Sequence, residues 1–272
     1  MGCPMGMEFS GKVMQYTAVL HSSAIGSFGD ASAPARPCMS SWADMKWRSL
    51  EESRPGTDTR PLREIFAERK DLIAKYVPPE TQAIHAQAVA ELKSRNLSEN
   101  ILPVGAKAPE FNLPDHNGKA VSSADLLAKG RLLLCFIRGR WCPFCVGQME
   151  AMNLILRQIE QTGASFIAIS PQTVKQSFFM HDQHKLRFSL LSDAGNKVAR
   201  QFGLTYRVPS LQEAVYRRAF VNLPFTNGDE SWELPMPATY ILDREGTVLY
   251  SSANVDYTER PEPNDIVLAL KG

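Results

Sequence analysis

Several things are scarce in this chain, and each scarcity excludes a class of protein. No stretch of its 272 residues approaches the ~18 consecutive apolar side chains that mark a membrane-spanning helix. Neither sign of charge dominates. Against 30 Lys and Arg stand 29 Asp and Glu, for a net charge of +1, which gives no electrostatic handle for nucleic acid or for an anionic membrane. Cysteine is rare and odd in number, five residues in all. That argues against a disulfide scaffold and makes a reducing cytoplasm the expected compartment. The sequence has no internal repeat and no low-complexity tract. Its N-terminus lacks the basic start and sustained apolar core of a signal peptide, and Gly6 stands where a myristoylation motif needs Ser or Thr.

What is present divides the chain into three. Residues 1–58 are rich in Ser, Gly, Ala and Pro without a lasting period and read as a flexible leader. Residues 59–103 read as a helical extension. From Pro61, the side chains of Leu62, Ile65, Phe66, Leu72, Ile73, Tyr76 and Val77 share one helical face until Pro78-Pro79 ends the run. A second helix is expected over 80–95. The pair either packs on the rest of the chain or forms a dimer arm, so a homodimer stays open. Residues 104–272 read as an α/β domain. Asn117-Gly118 signals a hairpin, and "RLLLCFIR" (131–138) and "SFIAIS" (165–170) are apolar runs of the kind found in strands buried on both faces. Helices are expected over 143–161, 172–185 and 194–202, a surface helix over 207–220, strands over 237–243 and 247–251, and a closing helix over about 262–270.

The chemistry concentrates in "FIRGRWCPFCVGQM" (136–149). Pro143 suits the first position of a helix, where its missing N–H costs nothing. That puts Cys142 near the N-cap and Cys145 in the first turn, where unpaired N–H groups and the helix dipole favour thiolate. Arg138 and Arg140 just upstream add positive charge if they turn inward. Cys142, Cys145, Met149, Met152, Leu156 and Ile159 follow at intervals of three or four. Cys142 is expected at the exposed tip of this buried stripe, with Cys145 one step deeper and close enough for a reversible disulfide. A zinc site needs a second pair of ligands, and His181 and His184 read as a solvated helix face, so no metal is expected. Cys135, inside the apolar strand, reads as a small core residue.

The set formed by "VGAKAPEFNLPDHNGKAV", "RGRWCPFC", "SFIAISPQ", "LLSDAGNKVARQFGL" and "LPMPATYILDREGTVLY" resembles the peroxiredoxin-like (alkyl hydroperoxide reductase C/thiol-specific antioxidant) branch of the thioredoxin-fold superfamily, over about 104–260. The resemblance implies a thioredoxin-like α/β fold, a mixed central sheet flanked by helices, here preceded by the helical extension. It implies hydroperoxide reduction by a peroxidatic cysteine, a thioredoxin-type reductant and no cofactor. Laying the family's Pro-x-x-x-Thr-x-x-Cys on Cys145 puts Cys142 at the Thr and Arg138 at the Pro, and the family's later arginine falls at Pro237. Trp-Cys-Pro-x-Cys is similar to the thioredoxin motif, and Pro237 matches that family's cis-proline, with the Met236 backbone offered to a substrate chain. Two other readings therefore stand beside the peroxidase: a protein dithiol–disulfide oxidoreductase and a non-catalytic redox sensor. Cys142 and Cys145 are the expected catalytic pair. Arg138, Arg140, Trp141, Met236 and Pro237 are the expected substrate-binding residues.

Overall fold

The structure is a computed structural model that describes residues 58–219 and 221–272. The leader expected at the N-terminus therefore lies, but for Asp58, outside the described residues.

Two helices open the described residues, α1 (Leu62–Tyr76) and α2 (Pro79–Ser94). The extended Pro78 between them bars helical continuation. Pro61 has no side-chain group to cap α1. The Glu262 carboxylate does so from 200 residues away, accepting from the backbone N–H of Leu62 (2.9 Å) and Arg63 (2.7 Å). A short hairpin follows, β1 (Asn112–Pro114) and β2 (Ala120–Ser122), turning at the expected Asn-Gly pair, then α3 (Ser123–Leu127).

The main sheet is built from β3 (Leu132–Phe136), β4 (Ser165–Ser170), β5 (Ser189–Ser192), β8 (Ala238–Leu242) and β9 (Val248–Ala253), in the order β5-β4-β3-β8-β9. β3, β4 and β5 run parallel, while β8 and β9 join antiparallel. Between these strands lie α4 (Pro143–Leu154), α5 (Leu156–Gln161), α6 (Val174–Gln183), α7 (Lys197–Gln201), β6 (Thr205–Arg207), α8 (Ser210–Arg218), α9 (Leu223–Asn227) and β7 (Glu233–Pro235). β6 and β7 pair as a small antiparallel ribbon. Helix α10 (Pro263–Lys271) closes the chain. The single helix expected over 143–161 is two, interrupted at Ile155 (φ −94°, ψ 8°).

β3 is the central strand and every one of its side chains is buried. Alternation sends Leu133, Cys135 and Ile137 to one face, against α1, α4 and α10, and Leu132, Leu134 and Phe136 to the other, against Phe202 and Tyr240. The stripe of α4 and α5 seals the first face, with Met149, Met152 and Ile159 all at 0% exposure. Each such side chain contributes about 1.5–3 kcal/mol by leaving water. Phe66 of α1 meets Phe144 of α4 edge-on, with ring centroids 5.1 Å apart. Gly147 permits this approach, because a Cβ there would stand 3.0 Å from the Phe66 ring and 2.6 Å from the Arg69 guanidinium. The extension thus lies on the N-terminal end of α4, where the cysteines are.

Candidate active site

The loop from β3 to α4 carries the site. Gly139 has φ +147°, and a Cβ there would lie 2.7 Å from Trp141 Nε1. Only glycine suits that turn. The Cys142 N–H donates to the Gly139 carbonyl (3.1 Å) and the Cys142 carbonyl accepts from Val146 N–H (3.0 Å). Cys142 is thereby the N-cap of α4, with Pro143 the first helical residue. Cys145 follows one turn in.

The two cysteines lie 3.3 Å apart and are free thiols. One expectation is corrected here. Cys142 is not at an exposed tip: it is 1% exposed and Cys145 0%. The helical periodicity described the stripe correctly, but periodicity carries no information on what a distant segment lays over its end.

The environment separates the two sulfurs. Burial alone would raise the Cys145 thiol. A hydrogen bond from Cys142, the charges of Arg260 and Arg138, and the Arg138 backbone N–H outweigh burial and lower it to about 5. Arg260 Nη2 lies 3.6 Å from Cys145 Sγ. For Cys142, burial, the hydrogen bond to Cys145 and the negative charge on Cys145 push the thiol well above its ordinary value, against the pull of Arg138 and Arg260. Arg138 Nη1 is 3.9 Å from Cys142 Sγ. The surroundings therefore favour the thiolate at Cys145 and the protonated thiol at Cys142.

Arg138 is 1% exposed and sits in an aromatic box. Its guanidinium carbon is 4.7 Å from the Trp141 ring centroid, 4.1 Å from Tyr257 and 5.9 Å from Tyr216, and Nη2 donates to the Tyr216 hydroxyl. His85 of α2 backs the box, its ring tilted against Tyr216 at 5.9 Å and edge-on to Tyr257 at 6.5 Å. Burial, with the Arg138 charge added, lowers His85 to about 4, so its ring is neutral at pH 7 and its Nδ1 accepts from Gln212 Nε2 (3.1 Å). Leu62 and Phe66 of α1 share a buried cluster with both cysteines, and α2 packs on α8 behind the aromatic box.

A second buried chain of polar groups holds Arg260. Gln148 Oε1 accepts from Arg260 Nε (3.0 Å), and Gln148 Nε2 donates to Thr239 Oγ1 (3.4 Å). Thr239 Oγ1 in turn lies 3.5 Å from Cys135 Sγ. Cys135 is the expected core residue, with burial pushing its thiol to about 12.

Of the expected substrate-binding residues, Arg138 reaches Cys142 and Trp141 packs against Arg138. Arg140 faces α6: its N–H donates to Gln172 Oε1 (2.7 Å), Nη1 donates to Gln176 Oε1 (3.0 Å), and its guanidinium lies 5.8 Å from the Phe179 ring. No cis peptide occurs among the described residues, so Met236–Pro237 is trans. The Met236 N–H is not offered to a substrate chain, because β6–β7 pairing continues through it to the Leu204 carbonyl (2.7 Å). His181 and His184 are also not a solvated face. His181 stacks on His116 at 3.5 Å, and His184 Nδ1 lies 2.9 Å from Glu150 Oε1.

Sequence reasoning missed Arg260, Gln148, Tyr216 and Tyr257. Arg260 is 115 positions from Cys145 in a loop with no motif. Tyr216 was legible in part: Gln212, Val215 and Tyr216 share the buried face of α8, a spacing that marks a packed helix rather than a surface one.

A five-stranded mixed sheet whose central strand runs into a cysteine-bearing helix N-terminus is a thioredoxin-like fold, and solved structures agree. The chain superposes on the PrxQ C-to-S mutant of Xylella fastidiosa with a TM-score of 0.51, covering 62% of this chain and 96% of that one at 15% identity. On the peroxiredoxin 6 mutant of Arenicola marina the TM-score is 0.50, covering 62% and 72% at 13% identity. Residues 104–251 match the model of the AhpC/TSA family, and the chain belongs to that family. Among curated relatives it is 32% identical over 147 residues to the putative chloroplastic peroxiredoxin Q of Oryza sativa subsp. indica, covering 54% of this chain and 57% of that protein. It is 30% identical over 167 residues to the chloroplastic peroxiredoxin Q of Arabidopsis thaliana, covering 60% and 67%. It is 32% identical over 103 residues to the putative peroxiredoxin bcp of Coxiella burnetii, covering 38% and 68%. The chain spans little more than half the length of the rice relative. No helix among the described residues is long and apolar enough to cross a membrane.

Proposed function

We propose that this chain is a thiol-dependent hydroperoxide reductase in which Cys145 attacks and Cys142 resolves. The observation that carries this reading is the convergence of three donors, Arg260 Nη2, the Arg138 N–H and the Cys142 thiol, on one buried sulfur. Family membership and the peroxiredoxin names of its relatives support it. The Cys145 thiolate attacks one peroxide oxygen. An S–O bond forms, the O–O bond breaks, and the electron pair leaves on the alkoxide or hydroxide, which takes a proton from solvent. The product is Cys145 sulfenic acid. The Cys142 sulfur, 3.3 Å away, then displaces water to give the disulfide, and an external dithiol of thioredoxin type restores both thiols by exchange.

The oxidoreductase reading is weaker, because a protein disulfide needs an exposed attacking sulfur and a free backbone edge, while Cys142 is 1% exposed and the Met236 N–H is taken. A reducing compartment belongs to the proposal, with the cytoplasm its default and the chloroplast the compartment named for the plant relatives.

Stopped-flow mixing of the reduced protein with hydrogen peroxide tests it. Thiol loss far faster than for free cysteine is expected. Cys142→Ser should accumulate sulfenic acid, trapped by dimedone, and Cys145→Ser should be inert. A wild-type rate equal to that of free cysteine would falsify the reading.

A further inference from the structure

The sealed pair raises a question of access: by what route does a hydroperoxide reach Cys145? We propose that it comes through a small cavity between α1 and the 258–260 loop, with the Arg260 side chain at its inner end. This rests on the peroxidase reading and names its substrate class as small hydroperoxides, hydrogen peroxide and short alkyl hydroperoxides.

The geometry is specific. An open-mouthed cavity of about 130 Å³ has Arg63, Phe66, Ala67 and Lys70 of α1 on one side and Thr258, Glu259 and Arg260 on the other. Arg260 belongs to both places. It lines the cavity, and its Nη2 lies 3.6 Å from Cys145 Sγ. No other residue lining this cavity bonds a cysteine sulfur among the described residues. A guanidinium carries five N–H donors. One goes to Gln148 Oε1, one to the Glu259 carbonyl (2.8 Å) and one to the sulfur. The remaining donors can hold a peroxide oxygen at the inner end of the cavity.

The size sets the substrate class. Pockets for drug-sized ligands measure roughly 300–1,000 Å³, and this one is well below that range. Its lining is mostly charged, with apolar carbon from Phe66 and Ala67 alone, which suits a hydroperoxy group with at most a short alkyl substituent and excludes a bulky or long-chain one. Two lining residues, Lys70 and Glu259, pair at 2.8 Å, and they are 47% and 54% exposed. Such a pair is weakly held and screened by salt, so it yields readily to an incoming molecule. The residues of this cavity lie outside the span that matches the family, 104–251. The passage is thus a property of the extension and the C-terminal loop.

Ala67 is exposed, so Ala67→Trp fills the cavity without disturbing the core. In stopped flow, the wild type should react with hydrogen peroxide and tert-butyl hydroperoxide at least tenfold faster than with cumene hydroperoxide. Ala67→Trp should lose at least tenfold toward tert-butyl hydroperoxide and less toward hydrogen peroxide, with the pH midpoint of Cys145 alkylation unchanged. Thr258→Phe narrows the same space from the loop and carries the same expectation should Ala67→Trp not fold. Unchanged rates in both folded variants overturn the passage, as does equal wild-type reactivity toward all three peroxides. If the wild type reacts with no hydroperoxide, the peroxidase reading falls and access is read directly. Labelling of Cys145 by methyl methanethiolsulfonate, followed by peptide mass spectrometry, should be at least tenfold slower in Ala67→Trp. Equal labelling overturns the passage by itself.

Discussion

Arg260 Nη2 stands 3.6 Å from Cys145 Sγ, and its Nε is held at 3.0 Å by Gln148 Oε1. The bracing matters because a cation that wanders stabilises a thiolate less than one that is fixed. The Gln148 amide is fixed in turn by Thr239, so the charge that lowers the Cys145 thiol is positioned by the sheet itself.

The first prediction concerns that charge. Arg260→Met removes one of the two cations that lower Cys145. The midpoint of the alkylation rate against pH should rise from about 5 by about one to three pH units. A midpoint left at its wild-type position would mean that Cys142 and Arg138 suffice without Arg260.

A second prediction is of stability against pH. Cys145 is depressed to about 5 in the folded protein, whereas an unfolded thiol titrates near ~8.5. Between these values the unfolded chain binds a proton at Cys145 that the folded chain does not, so stability rises with pH across this window and is lost as pH falls through about 5. Cys142, raised in the folded state, is protonated in both states through most of this window; near ~8.5 its unfolded thiol begins to ionise and works against stability, a contribution present in wild type and Cys145→Ser alike. Urea unfolding at pH 5.5, 7 and 8.5 should show the wild type gaining on Cys145→Ser by up to about 1.4 kcal/mol per pH unit. A constant difference would rule out the thiolate assignment.

Arg138→Lys separates charge from stacking. Lysine keeps the cation but cannot lie flat between Trp141 and Tyr257. The variant should lose about 2 kcal/mol of stability, by chemical denaturation, while the Cys145 alkylation midpoint moves less than in Arg260→Met. A larger midpoint change for Arg138→Lys would reverse the assigned roles.

The cover can be loosened from beneath. Gly147→Ala places a methyl 3.0 Å from the Phe66 ring and 2.6 Å from the Arg69 guanidinium, pressing α1 off α4. Labelling of Cys142 and Cys145 by bulky 5,5′-dithiobis(2-nitrobenzoate), mapped by mass spectrometry, should accelerate severalfold. If labelling stays as slow as in the wild type, α1 is not what shields the pair.

Much of this was legible in the chain itself. The runs 131–138 and 165–170, the Asn117-Gly118 turn and the Cys142–Ile159 stripe fixed the strands, the hairpin and the buried face of α4, because local periodicity and turn chemistry are encoded in adjacent residues. The Pro143 position marked where the helix begins, and hence which thiols sit at its mouth. Contacts between distant segments were not encoded in this way. Glu262 capping α1, Tyr216 holding Arg138 and Arg260 reaching Cys145 span 200, 78 and 115 positions, and no spacing rule reaches that far. The sequence determined that two sulfurs share one helix end. Only the tertiary structure decided which sulfur its surroundings favour as thiolate and that both are covered, because an ionisation equilibrium depends on the burial and the charges that folding assembles around it.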